Sequence, residues 1–322
     1  MKWRVLILWG VMLAAALVVA GDGLLELAQR QFETGNYADA IQALQTALAQ
    51  NGQDARVHFW LARCFYELRD FDQAVAFAER AVRADPRNSD YHLWLGKAYG
   101  RKADRQRSLS LARKTKREFE EAVRLNPANI PARRALGDYL SQAPWIAGGS
   151  DSKAREQAEV IAALDPVEGH LARADYWLNE TKPERAEAEY RRVLELKPER
   201  VEPYLEVARF YRQRNARARV EEAVEAAARV NPGDGRLSFY RGVARVMAGN
   251  RLSEAEQFLK SYLATVPQRE DFPSHTSARE WLGRLYERLG KREQAAREYR
   301  AALQLDPDRK SAREALRRLE KP

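Results

Sequence analysis

The sequence predicts an all-α protein made of stacked helical hairpins, and three observations carry that expectation. A unit recurs along most of the 322 residues, and its cleanest copy runs from Thr276 to Arg309: Trp281-Leu282-Gly283, then Tyr286, Gly290, Ala295, Tyr299, Ala302 and Pro307. Prolines mark the period: Pro86, Pro127, Pro166, Pro198, Pro232, Pro267 and Pro307 are 32 to 41 residues apart and mostly follow Asp or Asn. No run of alternating Val, Ile and Thr reads as a strand, so no sheet is expected.

Each residue type in the unit has a physical task. Gly283 and Ala295 are small where two helices cross, while Tyr286 and Tyr299 fill the space beside the crossing. Gly290 ends the first helix in a left-handed turn, and Asp306-Pro307 ends the second, because the residue before proline is pushed out of the helical region. A hairpin of this kind cannot bury its apolar face alone, so copies must stack, and the length of the chain counts repeats rather than one core.

Taken in order, residues 1–20 stand apart: Lys2 and Arg4, an uncharged run from Val5 to Ala20, then Gly21-Asp22. These are the features of a secretory signal peptide cleaved after Ala20, or of a retained N-terminal anchor that tethers the chain to a membrane. Residues 21–309 hold eight repeats. The first has Ala28, Gly35, Tyr37, Ala40, Leu44 and Ala47 in register, with Gly52 in the place of the proline; the second has Leu61, Ala62, Phe65, Ala74, Ala78 and Ala81.

The third repeat opens with Ser89, expected to cap its first helix, and is longer than standard between its helices, near 100–115. That stretch, 101–117, carries eight Lys and Arg against Asp104 alone. Its apolar stripe (Leu111, Thr115, Ala122, Leu125) predicts a second helix extended backwards. The fourth repeat is long in its internal turn, 141–150, with Pro144-Trp145-Ile146 and a Ser150 or Asp151 cap. Repeats five and six carry Ala174, Trp177, Ala186 and Tyr190, then Ala208, Tyr211, Ala223 and Ala227. The seventh has Gly242, Gly249, Ala255 and a Ser253–Glu256 capping box; Ser277 with Glu280 is expected to cap the eighth after a polar link. Residues 310–322 read as a charged capping helix over the last repeat.

The order W/L-G-x-x-Y, A-x-x-x-F and a closing proline resembles the tetratricopeptide repeat, and the Gln142–Ser150 stretch with the basic insertion before it resembles a variant of that family found in bacterial exported proteins of unassigned role. That resemblance implies an α-solenoid, a right-handed superhelix of about eight hairpins. It also implies a concave groove, lined by the first helices, that reads an extended or helical peptide.

Little in the chain suggests chemistry. Cys64 is the only cysteine and falls in an apolar helix, so no internal disulfide forms; in an exported chain this favours a bacterial envelope. His58, His92 and His170 share one early position in their repeats and are read as packing residues, with no third metal ligand at matching spacing. Gly148-Gly149-Ser150-Asp151-Ser152-Lys153 fails the phosphate-loop pattern. No nucleophile constellation occurs. The expectation is a protein that is not an enzyme and takes no cofactor and no metal.

What remains is surface. On the pattern of the resemblance, the groove takes Phe59, Arg63 and Tyr66, then Leu93, Lys97 and Arg101, then Arg134 and Asp138. The asparagines of the family's C-terminal-carboxylate clamp are absent. A second candidate is the edge where the two insertions lie side by side: Arg113, Lys114, Lys116 and Arg117 beside Trp145. Either these residues form one binding platform, or Trp145 and Ile146 pack on the extended helix and the charges are merely solvated. The net charge is +9. The reading that follows is a periplasmic scaffold for a protein or peptide of acidic character. The alternatives are an adaptor for an anionic polymer or membrane surface and, third, a nucleic-acid binder. Salt distinguishes them, since polyelectrolyte binding falls steeply as counterions compete.

Overall fold

The computed structural model describes residues 21–320; the signal or anchor expected at residues 1–20 lies outside the described residues. Within that span no strand occurs and no helix is long and apolar enough to cross a membrane. The chain divides into two compact units, one through Ala186 and one from Glu187 onward. The first contains α1 (residues 21–33), α2 (Tyr37–Gln50), α3 (Ala55–Glu67), α4 (Phe71–Ala84), α5 (Ser89–Gln106), α6 (Leu109–Leu125), α7 (Ile130–Gln142), a 3-10 turn (Trp145–Ala147), α8 (Asp151–Leu164) and α9 (Pro166–Asn179). The division falls within α10 (Pro183–Leu196). The second unit continues with α11 (Glu202–Gln213), α12 (Arg217–Val230), α13 (Arg236–Ala248), α14 (Leu252–Thr265), α15 (His275–Arg288), α16 (Arg292–Leu305) and α17 (Lys310–Glu320). The helices follow one another as eight pairs and a final helix, an all-α solenoid pattern.

The residues that close each pair do what their chemistry dictates. Asp85, Asn126 and Asp306 are extended, as the following proline requires, and their carboxylate or amide oxygens accept the N–H two residues on. That is why Asp and Asn precede the prolines. Inside every pair at least one residue takes the left-handed conformation: Gly35, Arg69, Arg107, Gly148, Thr181, Asn215, Gly249 and Gly290, with Arg251 a second one between α13 and α14. Four of these nine are glycine, so the turn is imposed by the packing of the two helices as much as by the residue.

At the helix crossings a Cβ on Gly96 would lie 2.5 Å from the Phe119 ring, and one on Gly283 would lie 2.6 Å from Tyr299. These glycines are pressed by the aromatic of the second helix. Behind them, buried clusters such as Ala62, Tyr66, Phe71, Ala74, Leu95 and Tyr99 link one hairpin to the next.

Both helices of the third repeat are lengthened. α6 extends backwards as the stripe predicts, with Ser108 Oγ accepting from Leu111 N, but α5 also runs 18 residues, so the insertion is shared between them. Four cap expectations are corrected. Ser150 stands at the start of α8, but its hydroxyl meets Ser152 Oγ and makes no cap bond to the helix. Asn88, not Ser89, caps α5, and Ser89 Oγ instead donates to the Ala122 carbonyl across the hairpin. α14 starts after Arg251 with no side-chain cap, so the Ser253–Glu256 box does not form. Ser274 caps α15, and Glu280 is buried, accepting from Arg309 and Ser311 where α17 begins.

Candidate functional site

The aromatic content of the first three repeats converges on Arg63. Its guanidinium carbon lies 4.6 Å from the Phe32 ring centre, 4.3 Å from Trp60, 4.7 Å from Trp94 and 5.7 Å from Phe59. A cation enclosed by π-faces is held in place rather than displayed. Trp60 and Trp94, half-buried, and Phe32, fully buried in the core, therefore form the setting of Arg63 although the repeat pattern did not select them; the signal was their spacing around Phe59 and Arg63 on facing helices.

Other candidates separate into partnered and displayed groups. Leu93 is buried against the Phe119–Leu136 core, and Tyr66 is buried edge-on against Phe71 and Trp94, so neither stands on a free face. Arg134 pairs with Glu168 at 3.2 Å and Asp175 at 2.6 Å, both on α9, and its charge is compensated within the fold. The separation of Arg134 and Glu168, like that of Asp22 and Arg56 or of Glu202 and Arg236, is one 34-residue period. Such one-period charge pairs were present in the sequence as a signal.

Along α6, Lys114 Nζ lies 5.1 Å from the Tyr99 ring, Lys116 pairs with Glu120 at 2.6 Å, and Arg117 reaches Glu118 at 3.4 Å. Arg113 Nη2 donates to the Ile146 carbonyl at 3.1 Å, which confirms that the basic stretch and the Trp145 turn are neighbours. Trp145 does not pack on the helix: it is 84% exposed.

Between α5, α6 and α7 opens a cavity of about 440 Å³, within the size range of ligand clefts. Lys97, Arg101 and Asp104 of α5 line one wall, with Tyr66 behind them; Ala112, Thr115 and Phe119 of α6 line another. Ala135, Asp138, Tyr139 and Gln142 of α7 complete it, with Ala143, Pro144 and Ala147 at the rim. Of the groove candidates Tyr66, Lys97, Arg101 and Asp138 line this cavity, and the two insertions add Ala112, Thr115, Pro144 and Ala147 to it; the edge candidates Arg113, Lys114, Lys116, Arg117 and Trp145 lie outside the lining.

Its cations are braced by rings: Lys97 Nζ lies 4.6 Å from Trp94, and the Arg101 guanidinium carbon 5.4 Å from Phe71. Asp104 and Asp138 stand among them, so the lining is mixed in charge rather than basic. The rim is fixed by Tyr139, whose hydroxyl donates to the Ala147 carbonyl at 2.9 Å; burial pushes that phenol above its ordinary value, keeping it a donor.

Two buried histidines stand at equivalent positions of α3 and α5. Each ring Nε2 meets a carbonyl six residues back, Gly52 for His58 at 3.2 Å and Pro86 for His92 at 3.1 Å. His92 Nδ1 also donates to Glu118 at 2.8 Å. Cys64 is buried, and burial pushes its thiol up to about 12. Among the described residues no group of three His, Cys, Asp or Glu side chains could hold a metal ion.

An array of paired helices closed by Asx-Pro turns, with small residues at each crossing, defines the class. Residues 31–98, 204–270 and 277–309, together just over half of the chain, match family models described as Tetratricopeptide repeat. The chain is a tetratricopeptide-repeat protein, and by class an interaction scaffold for proteins or peptides.

It is similar to a thermophilic tetratricopeptide-repeat protein of Thermus thermophilus, 25% identical, over 55% of this chain and 91% of that one, at TM-score 0.47. A repeat protein of Parabacteroides merdae is 13% identical over 94% of this chain and 99% of its own, at TM-score 0.44. The Cut9–Hcn1 hetero-tetramer of the APC/C matches over 89% of this chain and 54% of that one, at 17% identity and TM-score 0.54, a likeness of fold alone. No curated protein matches the chain.

Proposed function

We propose that this protein is a non-enzymatic scaffold of the bacterial envelope. It holds a protein segment in the cavity between α5, α6 and α7. The observation that carries this reading is the lining itself: Lys97 and Arg101, braced on Trp94 and Phe71, face apolar walls from Phe119, Ala135 and Pro144. A segment with an acidic residue next to an apolar one satisfies both, the acid on the two cations and the apolar side chain against Phe119 and Pro144. Asp104 and Asp138 oppose a uniformly anionic polymer at the same place, which sets the peptide reading ahead of the polyelectrolyte one.

Export is supported by the sequence of residues 1–20, with its basic start, apolar run and Ala20-Gly21 junction. N-terminal sequencing of the protein from an envelope fraction should give Gly21, or Met1 if the segment is kept as an anchor. Recovery in a soluble cytoplasmic fraction with Met1 intact would overturn it.

The cavity is tested with a peptide array that varies acidic and apolar residues. Acidic–apolar peptides should bind best. Lys97→Gln with Arg101→Gln should weaken them about tenfold, about 1.4 kcal/mol, with the folded state of the variant checked by melting because both cations also rest on rings. Equal binding of basic peptides, or no effect of the double change, would exclude the cavity as the site.

A further inference from the structure

The turn after α7 displays two large apolar side chains in water, Trp145 at 84% and Ile146 at 45% exposure. The backbone beneath them is held from several sides. Ala147 N donates to the Pro144 carbonyl, Gly148 N to Trp145, Gly149 N to Pro144 and Ser150 N to Leu140, at 2.8 to 3.2 Å. Tyr139 and Arg113 donate to the Ala147 and Ile146 carbonyls. A Cβ on Gly149 would sit 1.8 Å from the Ala143 carbonyl oxygen, so the turn has no slack there. The fold thus holds a tryptophan outward on a rigid support, and burying that apolar surface in a contact would be favourable.

The size and surroundings of this tip indicate what covers it. Two side chains are far short of the roughly 800 Å² per partner that a stable protein interface buries. Around them lies positive charge. Arg113 is exposed and donates to the neutral Ile146 carbonyl; Arg117, one turn on, has a side chain 68% exposed even with Glu118 beside it. Leu109, one turn before Arg113, adds a third exposed apolar group at 37%. A tryptophan tip rimmed by arginines matches the boundary of an anionic bilayer, where indole sits at headgroup level, aliphatic groups reach the acyl chains and guanidinium groups meet phosphate.

We propose that the Trp145–Ile146 turn, with Leu109, Arg113 and Arg117 on the adjoining face of α6, is a docking element for anionic phospholipid surfaces. Trp145 is not among the cavity-lining residues, so loss of peptide binding and loss of lipid docking are distinguishable.

The test uses the full chain with vesicles of phosphatidylcholine alone, or of phosphatidylcholine mixed with phosphatidylglycerol, both carrying brominated acyl chains. Tryptophan quenching is compared between the unchanged protein and Trp145→Phe, so that the difference isolates position 145 from the other tryptophans. Trp145-dependent quenching should appear on the anionic vesicles and be weak on phosphatidylcholine alone. Arg113→Gln and Arg117→Gln should each lower vesicle affinity about fivefold, from roughly 1 kcal/mol per cation at the surface. Melting should be unchanged in Trp145→Phe and Arg117→Gln, whose altered side chains are exposed; Arg113→Gln also removes the donor to the Ile146 carbonyl, so Arg117→Gln is the variant that isolates charge from support of the turn. Equal quenching on both vesicle types, or none that depends on Trp145, would overturn the proposal. So would a dimer in sedimentation that Trp145→Ala converts to monomer, which would give the turn to a second copy of the chain.

Discussion

His58 and His92 occupy one slot in consecutive repeats, with the same carbonyl contact, yet opposite charge states are favoured. Four residues before the alanine that closes each hairpin stands Phe77 in one and Glu118 in the other. His58 lies 6.1 Å from the Phe77 ring with Nδ1 buried and unpartnered, so burial holds its pKa below 6.5. For His92, burial also opposes the cation, but both ring nitrogens donate, to Glu118 and to Pro86, and the balance lifts the pKa above 6.5. The signs follow. His92 contributes stability that is complete below 6.5 and fades as pH rises through its folded value. His58 contributes stability present above 6.5 and lost as pH falls through its own. Proton NMR titration should find the two midpoints on opposite sides of 6.5, with Glu118→Gln bringing His92 down and Phe77→Glu carrying His58 up. Coincident midpoints would refute the assignment.

At the scale of the element, the hairpin turns separate residue preference from packing. Thr181 is β-branched and held at φ 55°, where a side chain meets its own carbonyl, and Thr181→Gly should stabilise the protein by about 1 kcal/mol in denaturant unfolding. The crossings show the reverse. Gly283→Ala drives a methyl into Tyr299 and should cost about 1–3 kcal/mol, whereas at Gly137 the nearest atom to an added Cβ is 3.5 Å away. Gly137→Ala should therefore be neutral or stabilising, as helix propensity favours alanine by up to about 1 kcal/mol. If both glycine changes destabilise alike, the Tyr299 contact is not what selects glycine.

Over the whole molecule, two compact units and repeat-to-repeat packing predict unfolding in more than one step, so the calorimetric enthalpy should exceed the van't Hoff value. α17 should govern the last of these steps. It buries Ala312 and Ala315 and supplies Ser311 to Glu280, while Arg318 approaches Glu287 at 3.6 Å. Truncation before Lys310 should lower the melting temperature of the second unit and increase aggregation, with the first unit's transition unmoved. An unchanged profile would show that α17 is not a cap.

The sequence by itself determined the hairpins. Helical period, Asx-Pro stops and small residues at each crossing act within a few residues, and local physics reads them directly; eight pairs, the buried Cys64 and the neighbouring insertions followed. It misjudged what depends on distant partners. Ser89 looked like a cap until Asn88 took that place and the Ala122 carbonyl took its hydroxyl. Arg134 looked displayed until two carboxylates of α9, 34 and 41 residues away, closed on it. The sequence leaves open whether Trp145 packs on α6 or stands out from it, and only the tertiary structure exposes it. A side chain's charge state and exposure are set by which helices face it, and a period of repeats specifies stacking without specifying what each facing residue is.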